Sequence, residues 1–318
     1  MRGVFLDDHT LGDGDLALDP LRATLDEWEF RGTTAPAEVA AALHDVDIAV
    51  TNKAVLDSSV LASATALRLI CVAATGTNNI DLGAAARHGI TVCNVRAYAT
   101  ASVVEHVFMV MLALTRRLQA HLAAVSHGDW CRADRFSLLD FPFRGLAGRT
   151  LGIIGYGELG RAVGNMAAAF GMQVIVAQRP GGPTLAGRVT LPELLASADI
   201  LSLHCPLTEQ TRNLISAREL DCMQRDAILI NTARGGIVNE ADLAAALRSG
   251  RIGGAAVDVL SEEPPANGSP LLEPGLPNLI VTPHVAWASL RSRQQLVEEV
   301  AANIRAYLGG APSNVVTA

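Results

Sequence analysis

Residues 151–160 read LGIIGYGELG, an apolar run that leads directly into three glycines with G-x-G-x-x-G spacing. The run predicts a buried strand, and residues 159–170 have the pattern of a helix following it. In this setting Gly155 permits a tight turn, Gly157 lets the backbone approach a pyrophosphate, and Gly160 lets helix and strand pack closely. Free N–H groups at the helix start favour phosphate. The stretch therefore predicts a dinucleotide site, with a structural turn or another nucleotide-like ligand as alternatives.

Apolar runs and helical patterns alternate on both sides of this stretch, which is typical of βαβ units and parallel sheets. We predict strands at residues 3–6, 47–51, 69–72, 90–93, 151–154, 173–177, 200–203, 227–230, 255–259 and 279–281. A closing helix is predicted at residues 291–308. Residues 101–127 lack Gly and Pro and predict one long helix, which would connect two domains or supply a subunit interface. The fold class is therefore α/β.

Composition limits the kinds of partner. The 318 residues suggest two domains, and half of them are hydrophobic, so a large core is available. The net charge of −7, without a dense Lys/Arg stretch, argues against nucleic acid and anionic membrane as partners. Five scattered cysteines without a C-x-x-C pair argue against disulfides and a structural metal. No secretory signal or spanning segment is visible, so we expect a cytoplasmic protein.

Polar residues follow the apolar strands of the second half. They are Gln178, Arg179, His204, Asn231, Thr232, Arg234, Asp258 and His284. Ligands of open α/β sheets bind outside the carboxyl ends of the strands, so this edge is the candidate site.

Two of these polar positions, Arg234 and His284, suggest chemistry, each with a plainer alternative. Arg234 lies in a glycine-containing turn and is suited to hold a carboxylate, or it is solvated or paired with a structural acid. His284 and Glu263 could form an imidazole–carboxylate pair in which His is a general acid, or they are ordinary surface residues. His106, on the predicted long helix, is interpreted as a packed core histidine. Trp287 would line a substrate pocket or pack at a domain junction.

The chain resembles the D-2-hydroxyacid dehydrogenase family, and most closely its glycerate dehydrogenases and hydroxypyruvate or glyoxylate reductases. The resemblance covers essentially the whole chain. Its motifs are Asn52-Lys53, residues 74–81 (ATGTNNID), the glycine loop, residues 204–208 (HCPLT) with Thr211, residues 231–236 (NTARGG), Asp258-Val259, Glu263-Pro264 and residues 282–287 (TPHVAW).

The resemblance implies two domains with the active site in the cleft between them. Residues 1–98 and 288–318 would form a flavodoxin-like substrate domain. Residues 99–287 would form a Rossmann-type, doubly wound parallel-sheet cofactor domain. The predicted helix at 101–127 would form a homodimer interface.

The resemblance also implies roles for single residues in the reduction of a small 2-keto acid. His284 would be the acid/base, Glu263 its partner, and Arg234 the group that orients the substrate. Thr75 and Gly76 would bind the substrate carboxylate through backbone N–H groups, with Trp287 beside them. The implied cofactor contacts are Val104, Gly155, Gly157, Glu158, Leu159, Gly160, Gln178, Arg179, His204, Cys205, Pro206, Thr211, Thr232, Ala233, Arg234, Asp258 and His284.

One position departs from the common family pattern. Many NAD-linked members carry an acid at the end of the second Rossmann strand, where this chain has Gln178 followed by Arg179. We therefore expect NADP to be moderately preferred over NAD. The competing interpretation is an NAD(H)-sensing binding protein that resembles the family's corepressors. A methyltransferase would leave Arg234, Glu263 and His284 without a role.

Overall fold

A computed structural model describes residues 1–179 and 181–317, which contain eleven strands and twelve α-helices. The strands are β1 (Arg2–Phe5), β2 (Glu27–Phe30), β3 (Ile48–Thr51), β4 (Leu69–Val72), β5 (Thr91–Cys93), β6 (Thr150–Ile154), β7 (Gln173–Val176), β8 (Ile200–Leu203), β9 (Ile228–Asn231), β10 (Gly254–Val257) and β11 (Leu279–Val281). The helices are α1 (Asp19–Arg22), α2 (Val39–Ala42), α3 (Ser58–Ser63), α4 (Leu82–Arg87), α5 (Thr100–Thr115), α6 (Leu118–Ser126), α7 (Asp129–Arg132), α8 (Glu158–Ala169), α9 (Leu191–Ser197), α10 (Ala217–Cys222), α11 (Glu240–Arg248) and α12 (Leu290–Leu308).

The chain forms two compact units. The first contains residues 1–99 together with the chain from residue 288 onward, and the second contains residues 100–287. In the part of the chain that is described, no helix is both long and apolar enough to cross a membrane.

The first unit is built on a parallel sheet with strand order β2-β1-β3-β4-β5. Its inner strands β3 and β4 are buried at every position, as expected when helices cover both faces of a parallel sheet. The edge strand β2 is half-exposed and carries two glutamates. The order 2-1-3-4-5 is that of flavodoxin-like folds, so the predicted class of this unit is confirmed.

The second unit contains a six-stranded parallel sheet with the order β11-β10-β9-β8-β6-β7. The chain runs from β6 to β7 on one side and then crosses to β8 on the other side of β6. This reversal is the switch point at which doubly wound sheets bind ligands. Leu151, Ile153, Leu203 and Leu229 are fully buried and hold the central strands together. The predicted Rossmann-type sheet is confirmed.

The predicted single helix over residues 101–127 is wrong. The structure has two helices, α5 and α6, because Arg117 takes a left-handed conformation with φ of +51° between them. Its N–H bonds to the Leu114 carbonyl three residues back at 3.1 Å, which tightens the last turn of α5. The Arg116 guanidinium lies 4.0 Å from the Phe143 ring centroid, beside the break. No Gly or Pro in the sequence marks this position.

Candidate active site

The glycine loop between β6 and α8 packs tightly against neighbouring backbone at Gly155 and Gly160 and faces open space at Gly157. Gly155 has φ of +92°, and a Cβ there would lie 2.5 Å from the His204 carbonyl oxygen. A Cβ on Gly160 would lie 2.1 Å from the Gly155 carbonyl oxygen, so α8 rests directly on the loop. At Gly157, a Cβ would meet no described atom within 4 Å. The loop therefore presents bare backbone at the start of a helix, which suits a phosphate group.

Two buried polar atoms on neighbouring strand ends have no hydrogen-bond partner among the described residues. They are the Thr232 hydroxyl after β9 and Nδ1 of His204 after β8. The other ring nitrogen of His204 lies 2.9 Å from the Ser202 hydroxyl. Burial lowers the pKa of His204 to about 4, so the ring is neutral at physiological pH. Buried polar groups usually have partners, and these two orphans fit an edge that receives a ligand.

The loop after β8 is held by one threonine. The Thr211 hydroxyl donates to the Pro206 carbonyl at 2.7 Å and accepts from the Thr208 N–H at 2.7 Å. Cys205 is buried beside the glycine loop, and burial raises the pKa of its thiol to about 11. The thiol is therefore not suited to act as a nucleophile at neutral pH.

Gln178 and Arg179, which follow β7, behave differently from each other. The Gln178 amide nitrogen donates to the Leu185 and Arg188 carbonyls at 3.0 and 3.2 Å, and its oxygen accepts from the Leu185 N–H at 3.0 Å. Its amide is thus engaged in holding the loop at residues 185–188. The exposed Arg179 guanidinium has no acceptor among the described residues.

The turn carrying Arg234 is clamped by Asn231. The Asn231 side chain accepts from the Ala233 N–H at 3.1 Å and donates to the Arg234 carbonyl at 3.0 Å. A Cβ on Gly235 would lie 1.8 Å from the Leu260 carbonyl oxygen, so this turn runs directly against the loop after β10. The half-buried Arg234 guanidinium donates to the Ala233 carbonyl at 2.6 Å and has no carboxylate partner in the described part of the chain. This cation is available to an anionic ligand.

His284 and Glu263 lie in direct contact. Nδ1 of His284 is 2.7 Å from Glu263 Oε2, while Glu263 Oε1 accepts from the Leu260 N–H at 2.8 Å. The carboxylate therefore sets the proton of the neutral ring on Nδ1. Nε2 of His284 has no partner among the described residues. The Trp287 indole N–H donates to the His284 carbonyl at 2.9 Å. This arrangement can deliver a proton from Nε2.

His284 has a backbone φ of +55°, a left-handed conformation that is costly for a residue other than Gly. Asp258 holds the segment in this conformation. Its buried carboxylate accepts from the Val285 and Ala286 N–H groups, both at 2.9 Å, and its carbonyl accepts from the His284 N–H at 2.8 Å. Asp258 therefore fixes the backbone on which His284 is mounted.

Two contacts with Thr282 were not predicted from the sequence. The Thr282 hydroxyl donates to Asp258 Oδ1 at 2.6 Å, and Nε2 of His106 lies 3.1 Å from the same hydroxyl. His106 and Thr282 are 176 positions apart in the chain, so no local pattern could join them. Burial lowers the pKa of His106, although the charge of Asp258 opposes this shift.

The other predicted site residues lie as follows. Thr75 and Gly76 belong to the first unit, where the Thr75 hydroxyl donates to the Val95 carbonyl at 2.8 Å. Val104 is buried in α5, and Leu159 lies in the first turn of α8. The start of α8 is tied to α5, because the Thr100 hydroxyl donates to the Glu158 carboxylate. Among the described residues, no group of three His, Cys, Asp or Glu is placed to hold a metal ion.

The sequence is similar to known dehydrogenases along its whole length. Residues 108–286 match the model of the D-isomer specific 2-hydroxyacid dehydrogenase NAD binding domain. A glycerate dehydrogenase from Methylorubrum extorquens is 44% identical over 99% of this chain and 98% of its own length. A hydroxypyruvate reductase from Blautia hydrogenotrophica is 36% identical over 99% of both chains.

Similar structures have also been solved. A protein from Thermus thermophilus gives a TM-score of 0.87 with 35% identity over 100% of both chains. An acyclic imino acid reductase in complex with NADPH and D-Arg gives a TM-score of 0.85 with 28% identity, covering 99% of this chain and 100% of that chain.

The chain belongs to the D-isomer specific 2-hydroxyacid dehydrogenase family. It is therefore an NAD-dependent oxidoreductase that acts on the CH–OH group of 2-hydroxy acids. The family resemblance found in the sequence is confirmed.

Proposed function

We propose that this enzyme reduces hydroxypyruvate or glyoxylate to the D-2-hydroxy acid, and catalyses the reverse oxidation. The observation that carries this proposal is the contact between His284 and Glu263, with Arg234 left unpaired by any described carboxylate. The relatives named above, and a Thermococcus litoralis glyoxylate reductase that is 37% identical over 84% of this chain, support a small substrate.

His284 supplies the proton in the proposed reduction. Glu263 accepts the hydrogen bond from Nδ1–H and stabilises the protonated ring, which gives its Nε2 proton to the keto oxygen. A bound nicotinamide cofactor supplies the hydride that forms the new C–H bond at the keto carbon. In the reverse reaction His284 takes the hydroxyl proton back.

Arg234 orients the substrate in this scheme. Its guanidinium can donate two parallel hydrogen bonds, which suits a carboxylate beside a carbonyl. The half-buried position strengthens these bonds relative to open water. Thr75, Gly76 and Trp287 remain predicted substrate contacts on the basis of the family resemblance.

A cofactor-oxidation screen tests the proposal. Purified enzyme is assayed with glyoxylate, hydroxypyruvate, pyruvate, phenylpyruvate and a branched keto acid, with NADH and NADPH in separate series. We expect the two small substrates to have the highest kcat/KM, and His284→Ala to lower kcat by roughly 10²–10⁴-fold. A faster rate with an aromatic or branched keto acid would refute the assigned substrate. Near-normal turnover by His284→Ala would refute the assigned acid.

For the cofactor, we propose a moderate preference for NADPH. No acid directly follows β7 to repel a 2′-phosphate, and the exposed Arg179 guanidinium, which has no acceptor among the described residues, is available to bind one. One charge-assisted hydrogen bond of roughly 1.5–3 kcal/mol corresponds to about 10–100-fold discrimination. The NADPH bound by the related imino acid reductase is compatible with this preference.

The ratio of kcat/KM for NADPH to that for NADH measures this preference. Arg179→Ala should lower the ratio, whereas Arg179→Lys should retain part of it because the charge remains. Gln178→Asp is less informative alone, because it removes the amide that holds residues 185–188. An unchanged ratio in Arg179→Ala would exclude a role for this side chain in selecting the phosphate.

We also propose that the enzyme is a homodimer formed through an apolar surface around α6 and α7. This surface consists of the exposed side chains Leu118, Leu122, Val125, Trp130, Phe136 and Leu139. Several exposed apolar side chains within one short segment are typical of a protein interface, and a second copy would cover them. Sedimentation should show a dimer that Leu122→Asp dissociates. A wild-type monomer at micromolar concentration would contradict the proposal.

A further inference from the structure

His106 contacts the segment that carries His284 through a chain of hydrogen bonds. Nε2 of His106 lies 3.1 Å from the Thr282 hydroxyl oxygen, and that oxygen lies 2.6 Å from Asp258 Oδ1. The His106 side chain is 10% exposed and that of Asp258 is 1% exposed. The chain of contacts is thus shielded from water. In such surroundings an unpaired polar group costs free energy of folding.

The direction of these hydrogen bonds follows from the donors around Asp258. Both carboxylate oxygens of Asp258 accept a backbone N–H, from Val285 and from Ala286. At 2.6 Å from an ionised oxygen, the Thr282 hydroxyl must direct its single proton to Asp258. The hydroxyl oxygen can then only accept from His106. The neutral His106 ring must therefore carry its proton on Nε2.

The same face of α5 contacts the segment at a second point. Ser102, one helical turn before His106, donates from its hydroxyl to the Ala286 carbonyl at 2.8 Å. Helix α5 therefore holds residues 282–286 at both ends, while Asp258 holds them in the middle. His284 lies between these points in its left-handed conformation, which persists only where the surroundings enforce it.

We propose that His106 is a positioning residue for the reaction, acting through Thr282 and Asp258 on the orientation of His284. This inference rests on the proposed role of His284 as the acid. The His106 N–H orients the Thr282 hydroxyl, the hydroxyl stabilises the Asp258 carboxylate, and the carboxylate fixes the backbone that follows His284. Loss of the His106 donor leaves the Thr282 hydroxyl held only by its bond to Asp258, and the orientation of His284 Nε2 toward the keto oxygen becomes less well fixed.

Steady-state kinetics with glyoxylate test the proposal. Loss of one buried hydrogen bond in this chain should lower kcat by roughly 10-fold, with KM changed by less than about 3-fold, because orientation matters most in the transition state. We expect this result for His106→Leu and for Thr282→Val. His106→Gln keeps a donor near the Nε2 position and Thr282→Ser keeps the hydroxyl, so both should recover most of kcat.

The double variant separates positioning from general damage. His106→Leu with Thr282→Val should be no slower than the slower single variant, because both remove the same chain of bonds. Thr115→Val is the matched control, since it removes a buried hydroxyl from α5 whose bonds to the described residues all lie within that helix. Its kcat should equal that of the wild type. If the fold losses in kcat of the two single variants multiply in the double variant, the proposal is overturned.

Nitrogen NMR of the histidine side chains gives a readout independent of turnover. A neutral His106 ring with its proton on Nε2 supports the proposed chain of hydrogen bonds. A neutral ring with its proton on Nδ1 overturns it. If His106→Leu does not fold, the comparison of Thr282→Val with Thr282→Ser decides the kinetic question. If His106→Leu keeps the wild-type kcat while His284→Ala is inactive, the positioning role of His106 is overturned and the proposed acid stands. A wild-type enzyme that reduces no 2-keto acid would refute the proposed function and the positioning role with it.

Discussion

Replacement of Glu263 by Gln tests the proposed acid most directly. Glu263 Oε2 lies 2.7 Å from Nδ1 of His284, while its other oxygen accepts the Leu260 N–H at 2.8 Å. A glutamine whose oxygen keeps the Leu260 bond would turn its NH₂ group toward Nδ1. Two donors would then face each other, unless His284 loses its Nδ1 proton. Either result disfavours the protonated ring that the reduction requires.

The structure also sets the expected size of this effect. A hydrogen bond to a charged group contributes roughly 1.5–3 kcal/mol when it is well shielded. The side chains of His284 and Glu263 are 29% and 33% exposed, so solvent screening places the loss at the lower end of that range. We therefore expect Glu263→Gln to lower kcat for keto-acid reduction by about 10- to 30-fold.

The assay is the initial rate of NADH or NADPH oxidation at saturating glyoxylate. Glu262→Gln is the matched control, because the neighbouring carboxylate bonds to the Asn267 side chain at 2.9 and 3.2 Å and does not contact His284. Its kcat should be unchanged. A Glu263→Gln rate within about twofold of the wild type would show that the carboxylate does not support the acid.

Three further predictions concern the glycine loop, the guanidinium and the thiols. Gly155→Ala should destabilise the fold by roughly 2–4 kcal/mol in urea unfolding, whereas Gly157→Ala should leave stability nearly unchanged and weaken cofactor binding in a fluorescence titration. Equal effects of the two changes on stability would contradict the geometry. Arg234→Ala should lower kcat/KM at least about 10²-fold, and a smaller loss would exclude a bidentate contact with substrate. A thiol reagent at pH 8 should label at most Cys131 and Cys222 in the native enzyme, because burial raises the pKa of Cys93 and Cys205 to about 11 and that of Cys71 well above its usual value. Rapid labelling of a third thiol would count against this burial.

Strands that are buried on both faces were predictable from sequence. Strand β4 (LICV) has no polar residue to interrupt it, and its predicted bounds agree with the structure. The edge strand β2 (EWEF) was not among the predicted strands, although its alternation of Glu with Trp and Phe is the pattern of a strand with one exposed face. The failure at Arg117 has a different cause. A left-handed residue other than Gly depends on its tertiary surroundings, which single-sequence patterns do not contain.

Helices α10 and α11 were not predicted, although local signals were present for both. Helix α10 begins after Ser216, whose N–H donates to the Glu219 carboxylate three residues on at 3.2 Å. Helix α11 begins after Asn239, whose side chain accepts from the Asp242 N–H at 3.1 Å. Both helices are short and carry several polar residues, so their apolar periodicity is weak. The cap residues would have revealed them.

The sequence predicts that polar residues lie at one edge of the sheet. It does not distinguish the polar side chains that stabilise the fold from those that are available to a ligand. Asp258 and Gln178 come just after their strands, as Thr232 does. In the structure Asp258, Gln178 and, further along the loop after β8, Thr211 use their polar atoms to hold neighbouring loops. The Thr232 hydroxyl has no partner among the described residues.

This division gives the proposed chemistry its physical basis. The satisfied groups make the loops after β7, β8 and β10 rigid, and rigid loops hold a ligand-binding group in place without reorganisation when substrate arrives. The unsatisfied atoms indicate where a ligand binds. A guanidinium without a carboxylate and an imidazole nitrogen without a partner are stable only beside water or a ligand. Arg234 and Nε2 of His284 are two such groups in the described part of the chain. A 2-keto acid has the groups to pair with both, because it carries a proton-accepting oxygen beside its carboxylate.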